Sequence, residues 1–193
     1  CGNNGCIFCS AGGSGDFAEP FDPDTDRQIE RAKEKVAKKF KGSRYIAYYQ
    51  AYSNTYAPAE YLEKLFIPVI RREDVAVLAI ATRPDCLGPE ILDLLIRLNR
   101  IKPVWVELGL QTIHPLTAEY IRRGYELEIY DKAVKDLIKG LSGQLCFSAD
   151  IFDGDVRIIF DLQKFQQSLI QKLYRPSGHP GSFVVHFLAY SFL

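Results

Sequence analysis

Methionine is absent from all 193 residues, position 1 included. A natural chain starts with one before processing and Cys1 makes an unusual mature terminus, so the sequence is expected to continue a segment that precedes it. Excess charge of either sign is also lacking, because 24 Lys and Arg balance 24 Asp and Glu. No global field therefore draws the protein to nucleic acid or to an anionic membrane, although a local basic patch stays open. No run of about 18 apolar residues occurs, and no charged segment followed by an apolar stretch opens the chain, which argues against membrane spanning and against secretion. The expected location is the cytoplasm, with no membrane partner. Histidine is scarce: His114, before Pro115, reads as a helix-start residue, and His179 and His186 lie in a tail with little pattern.

What is abundant is local. The chain opens CGNNGCIFCSAGGSGDFA, with three of its five cysteines inside nine residues. An odd count crowded at one end fits a metal centre in a reducing compartment better than a disulfide framework. Cys6 and Cys9 are separated by two residues, so their thiolates can reach one centre, and thiolates select zinc or iron–sulfur species. On spacing alone, half of a zinc site and a redox pair stay open. The following Gly12-Gly13-Ser14-Gly15 lets backbone approach a bound group closely or forms a flexible turn, and no P-loop lysine follows to make it a phosphate cradle. Cys86 and Cys146 stand alone and read as buried thiols.

The length and the 47% hydrophobic content support one sizeable core. Thr25 to Phe40 carries Ile29, Ala32, Val36 and Phe40 at helical steps. Tyr45 to Ala51 reads as a buried strand, and Pro58 opens a helix over Ala59 to Arg72 that Pro68 kinks or shortens. Val75 to Ala81 is a second strand, followed by the turn Thr82-Arg83-Pro84-Asp85 and a helix over Pro89 to Leu98. Val104 to Leu110 is a third strand, followed by helices over Pro115 to Arg123 and Leu127 to Lys139. Apolar strands alternating with helices predict an α/β fold of parallel β/α units with both sheet faces covered and chemistry at the carboxyl ends of the strands; the family resemblance given below makes this a partial parallel (β/α) barrel. Beyond Gly140 this rhythm stops, with a strand near Leu145 and a helix over Leu162 to Leu173 as the only elements read. The expected division is a core over 1–139 and an atypical segment, frameshifted or divergent, over 140–193. The Tyr45, Tyr48, Tyr49, Tyr52 and Tyr56 cluster is read as strand-core packing in preference to base stacking.

Glu107 sits inside the apolar strand VWVELGL. A lone carboxylate there costs several kcal/mol to bury, so a partner or an inward cavity is implied. Polar groups at the other strand ends, Gln50, Asn54 and Thr55 after the first and Thr82, Arg83 and Asp85 after the second, can orient a ligand by hydrogen bonding. An Asx-type turn at Asn54 and an Arg83–Asp85 rim pair are the structural readings beside it.

The stretches GCIFCSAGGSGDFA, YIAYYQAYSNTYAP, IATRPDCL and VWVELGLQTIHPLTAEYIRRGY, in this order through residues 1 to 139, resemble the radical S-adenosylmethionine superfamily, and within it a bacterial family related to the catalytic subunit of elongator. The resemblance implies a 4Fe-4S cluster on three cysteines and S-adenosyl-L-methionine on its open iron, cleaved by one electron to a 5'-deoxyadenosyl radical. It assigns Cys6 and Cys9 to the cluster, with either Cys1 or a cysteine farther upstream as the third ligand, and Gln50, Asn54, Thr55, Gln111 and Arg123, with Arg122 as its alternative, to the cofactor; Thr82, Arg83 and Glu107 join this set on the residue reading above, Arg83 with Asp85 for cofactor or substrate. A substrate of RNA or nucleoside type and an electron donor such as flavodoxin or ferredoxin are the implied partners. The chain departs from the superfamily pattern in two places. Four residues separate Cys1 from Cys6 where the commonest motif has three, and no glycine-proline-glycine-acid turn follows Gly140. A barrel incomplete at both ends, and with it an inactive chain, is the expectation these departures raise. The alternatives are a zinc-binding α/β interaction module and a metal-free aldolase-like barrel.

Overall fold

The computed structural model describes residues 5–9, 18–37 and 42–141, together with the backbone of 184–188. Cys1, the glycine segment 12–15, the expected elements near Leu145 and over 162–173, Cys146 and His179 lie outside the described residues.

Helix α1 spans Thr25–Ala37, β1 Tyr45–Tyr49, α2 Ala59–Arg71, β2 Val75–Thr82, α3 Pro89–Asn99, β3 Val104–Leu108, α4 Pro115–Tyr120, α5 Leu127–Leu141 and β4 Val184–Leu188. The strands form one open sheet in the order β3-β2-β1-β4, and every pairing is parallel. Each β–α–β crossover leaves its helix against the sheet, as in parallel α/β folds. No described helix is long and apolar enough to cross a membrane.

Local chemistry sets the helix boundaries. The Asp24 carboxylate accepts the Arg27 amide at 3.2 Å and the Asp24 carbonyl accepts that of Gln28 at 3.1 Å, so Asp24 caps α1. Buried Gln28 donates its side-chain amide to the carbonyls of Glu19 and Pro20 at 3.2 and 3.0 Å, fastening the preceding segment. Pro58, Gly88-Pro89 and His114-Pro115 open α2, α3 and α4, because proline at the first turn needs no amide partner. The helix α2 runs on to Arg71 after Pro68; the proline is solvent-exposed, so the carbonyl it leaves unpaired stays in reach of water.

The core lies between the sheet and α2, α3 and α5. Leu62, Phe66, Val69 and Ile70 of α2, and Ile91, Leu94, Leu95 and Leu98 of α3, meet Ala47, Tyr49, Leu78, Ile80, Val104, Val106 and Leu108 of the strands. On the opposite sheet face a smaller cluster of Ile46, Tyr48, Ala76, Val77 and Ala79, with Ala81 and Trp105 packed on it, is drawn from strands alone. Burial along β3 alternates, in place of the continuous burial read from its sequence. Tyr45, Tyr48 and Tyr49 belong to β1, but Tyr52 and Tyr56 are exposed, correcting the strand-core reading for those two. They lie beyond the strand's end, and Tyr52 takes a left-handed φ of 59° that turns the chain outward.

One ionic network ties α1 to the α2–β2 turn. Arg72 reaches Asp26 and Glu30 at 2.5 Å each and Asp74 at 3.0 Å, and Lys33 bridges Glu30 and Asp74 at 3.0 Å. Burial works to raise the Asp74 carboxyl, but the Arg72 and Lys33 hydrogen bonds outweigh it and hold the pKa at about 2. A depressed folded pKa stabilises above the unfolded value near 3.8 and loses that contribution as pH falls toward about 2. Urea unfolding of the apo-protein between pH 5 and about pH 2 should therefore show a loss of stability that Asp74→Asn reduces; parallel pH profiles for the two proteins would contradict this.

Candidate functional site

Strands β1, β2 and β3 end on one rim at Tyr49, Thr82 and Leu108. The turn after β1 is fastened to the end of β2. Asn54 Nδ2 donates to the carbonyls of Tyr49 and Ala81 at 3.0 and 2.9 Å, and the Asn54 amide reaches Ala81 as well at 3.2 Å. Thr55 Oγ1 donates to the Cys86 carbonyl at 2.8 Å and lies 2.6 Å from Thr82 Oγ1; since Thr55 has one proton, Thr82 is the donor between them. Asn54 and Thr55 are 1% and 2% exposed, so both act as a clamp between strand ends. Asn54 Oδ1 is left buried with no hydrogen-bond partner.

A second set of contacts organises the segment after β3. Arg123 is buried; its Nε donates to the Tyr125 carbonyl at 2.9 Å, Nη1 donates to that of Thr112, and the guanidinium lies 4.5 Å from the Tyr125 ring centre. Tyr125 returns its hydroxyl to the carbonyls of Gly109 and Leu110. Burial pushes the Tyr125 phenol up, against the pull of Arg123 and Arg83, so it remains a donor at any physiological pH. The adjacent Arg122 is exposed, with φ of 57°. Of the two consecutive arginines, Arg123 is the one drawn inward. Arg83 pairs with Asp85 through Nε and Nη2 at 2.8 and 2.7 Å and donates Nη1 to the Arg123 carbonyl at 3.0 Å.

Gln50 and Gln111 differ from these residues. Both are half-buried, and no hydrogen bond engages either side-chain amide among the described residues. Gln111 has φ of 70° and folds its amide back over Gly109, where a β-carbon would lie 2.7 Å from Nε2. Glycine at 109 is what leaves that amide its place. Glu107 has the partner its position demanded, accepting the Tyr48 hydroxyl. The two are on the strand-only face, one on β3 and one on β1, and the small Ala79 and Ala81 of β2 lie between them. Strands about 4.8 Å apart put the pair roughly two spacings from each other, a gap the phenol ring spans only over small side chains.

Cys6 and Cys9 form a turn, with the Cys9 amide on the Cys6 carbonyl at 3.0 Å. The turn rests on the end of α4: the Ile7 amide donates to Ile121 at 3.1 Å, and the Cys6 thiol lies 3.8 Å from the Arg122 carbonyl. Burial and the neighbouring Cys9 thiol push the Cys6 thiol up, and Arg83 pulls it back. The two thiols thus share one turn on the segment after α4, both free of disulfides. Cys86 is buried and does not join them: among the described residues no three His, Cys, Asp or Glu side chains gather as a metal site. In donor type and spacing the two thiols fit a thiophilic centre.

The rim therefore brings together Cys6, Cys9, Gln50, Asn54, Thr55, Thr82, Arg83, Gln111 and Arg123, while Glu107 faces the other side of the sheet from the helices. Tyr125 was not picked out from the sequence, and Tyr48 was read there as strand-core packing without its bond to Glu107. The signal for Tyr48 was available, since an acid inside an apolar strand calls for a donor on a neighbouring strand, but its identity depends on register.

The family model of the radical SAM superfamily matches residues 1–166. Among curated proteins, the chain is 45% identical over 137 residues to the uncharacterized protein YtqA of Bacillus subtilis, covering 71% of this chain and 42% of that protein. It is 37% identical over 144 residues to the uncharacterized protein MJ0486 of Methanocaldococcus jannaschii, covering 71% and 43%. It is 32% identical over 155 residues to the protein YhcC of Escherichia coli, covering 74% and 49%. The matched part spans less than half the length of each of these relatives.

Proposed function

Because this chain belongs to the radical SAM superfamily, we propose that Cys6 and Cys9 are two ligands of a 4Fe-4S cluster, with Cys1 assigned as a third, and that S-adenosyl-L-methionine lies on the adjoining strand-end rim. The observation that carries this reading is the bonding of the cysteine turn to Ile121 and Arg122, one residue from the Arg123 carbonyl that Arg83, after β2, holds. The chemistry a loaded site supplies is one-electron cleavage of the sulfonium to a 5'-deoxyadenosyl radical, the hydrogen-abstracting species of the superfamily.

The chain's own residues divide by their existing bonds. Gln50 and Gln111, whose amides are unbonded among the described residues, are assigned to contact the cofactor's polar groups. Asn54, Thr55 and Thr82 hold the two strand ends at a fixed separation, and Arg123 holds the 109–125 turn behind Gln111. Glu107, fixed by Tyr48, offers an oriented carboxylate on the strand-only face. The resemblance to the elongator subunit makes RNA or a nucleoside the substrate class put forward, and flavodoxin or ferredoxin the electron donor. That analogy rests on family likeness alone.

Anaerobic reconstitution with iron and sulfide tests the reading. The protein should turn brown, hold about four irons per chain, and release 5'-deoxyadenosine when given dithionite and S-adenosyl-L-methionine. A colourless product that retains zinc instead would overturn it in favour of the zinc-binding module.

A further inference from the structure

An ion pair lies behind the cysteine turn. Asp85 takes two hydrogen bonds from Arg83, whose remaining Nη1 holds the Arg123 carbonyl and whose guanidinium lies 5.4 Å from the Tyr125 ring centre. Gly124 has φ of 80°, and a β-carbon there would lie 3.3 Å from Arg83 Nη2. Any other residue would crowd the guanidinium as well as strain the backbone. The stretch 121–124 that Arg83 braces is the one on which the cysteine turn rests, through Ile121 and Arg122. Arg83 and the Cys6 thiol thus meet adjacent carbonyls of this stretch, those of Arg123 and Arg122.

Resting on the assignment of Cys6 and Cys9 as cluster ligands, we propose that the Arg83–Asp85 pair is a positioning and electrostatic device that sets the reduction potential of the bound cluster. When a low-potential donor delivers one electron, the cluster gains one negative charge; no bond forms or breaks in the pair and no proton moves. A guanidinium fixed beside the ligand Cys6 favours that added charge, and Asp85 both aims the guanidinium and offsets part of its field. With its donors engaged by Asp85 and the Arg123 carbonyl, Arg83 acts through the cysteine turn.

Two variants of opposite charge effect separate this from a purely structural role. In protein reconstituted anaerobically and titrated spectroelectrochemically without S-adenosyl-L-methionine, Arg83→Met removes the cation, strands the Asp85 carboxylate and disfavours reduction. Asp85→Asn leaves the cation unopposed and favours it. Each shift should be about tenfold in the one-electron equilibrium, about 59 mV, negative for the first and positive for the second. Arg83→Lys, which keeps the charge, should recover most of the potential lost in Arg83→Met. A brace without electrostatic consequence would leave the potentials unchanged or move both variants the same way, and either result overturns the proposal. In the apo-protein, amide exchange over residues 5–9 should accelerate at least about fivefold in Arg83→Met, and unchanged protection there overturns the bracing. If the unsubstituted protein takes up no iron, the assignment of the cysteines falls, and the exchange experiment still decides whether Arg83 holds their turn.

Discussion

Cys6→Ser and Cys9→Ser should each reduce the iron bound after anaerobic reconstitution at least tenfold and remove the visible charge-transfer absorption, while leaving the thermal midpoint of the apo-protein almost unmoved. The two halves of this result have separate physical origins. A serine hydroxyl is a hard, weakly acidic donor that does not replace a thiolate on iron, so loss of either sulfur disrupts the site. The residues themselves contribute little to the fold: Cys9 is exposed, Cys6 is half-buried, and neither belongs to the core between sheet and helices. Cys86→Ser is the opposing control. Its thiol is 7% exposed and stands apart from the pair, so this variant should keep its iron. Iron retained by Cys6→Ser would remove the basis for the proposed function.

Arg123→Met should have the reverse profile, a large loss of stability in the protein without any bound group. The substitution preserves much of the side-chain length but withdraws the donors to two carbonyls, those of Thr112 and Tyr125. Leaving buried acceptors unpaired costs about 1–3 kcal/mol each, and loss of the stacking on Tyr125 adds up to about 1 kcal/mol. A total of about 4 kcal/mol lowers the melting temperature of a chain this size by about 8–16 °C. A residue whose work was to bind a cofactor carboxylate would show the contrary, an unchanged apo-protein melt and a selective binding defect. Calorimetry on apo-protein of both forms makes the distinction, and equal midpoints would refute the structural role assigned to Arg123.

These two experiments follow the line between what was legible and what was not. The alternation of apolar strands and amphipathic helices located each element from α1 to α5 to within a few residues. The second strand, read as Val75 to Ala81, spans Val75–Thr82, and the helix read from Pro89 to Leu98 spans Pro89–Asn99. Proline at the start of α2, α3 and α4 gave those boundaries, because its missing amide and fixed φ are compatible with the first helical turn and little else. Glu107 was legible in kind: a carboxylate among valines and leucines must have a partner. That the partner is Tyr48 was not legible, because it depends on two parallel registers and on the alanines of the strand between.

The sequence by itself determined the α/β order, the parallel sheet and the closeness of Cys6 to Cys9, since each follows from spacing along a few neighbouring residues. Only the tertiary structure decided which rim groups bond to one another and which stay open. Asn54, Thr55, Arg83 and Arg123 are all polar and all near strand ends, yet their side-chain donors are engaged by Ala81, Cys86, Asp85, Thr112 and Tyr125. Among the described residues, Gln50 and Gln111 are left with free amides. A hydrogen bond forms or fails within a few tenths of an ångström, and that precision is set by how strands register and helices pack across the whole chain.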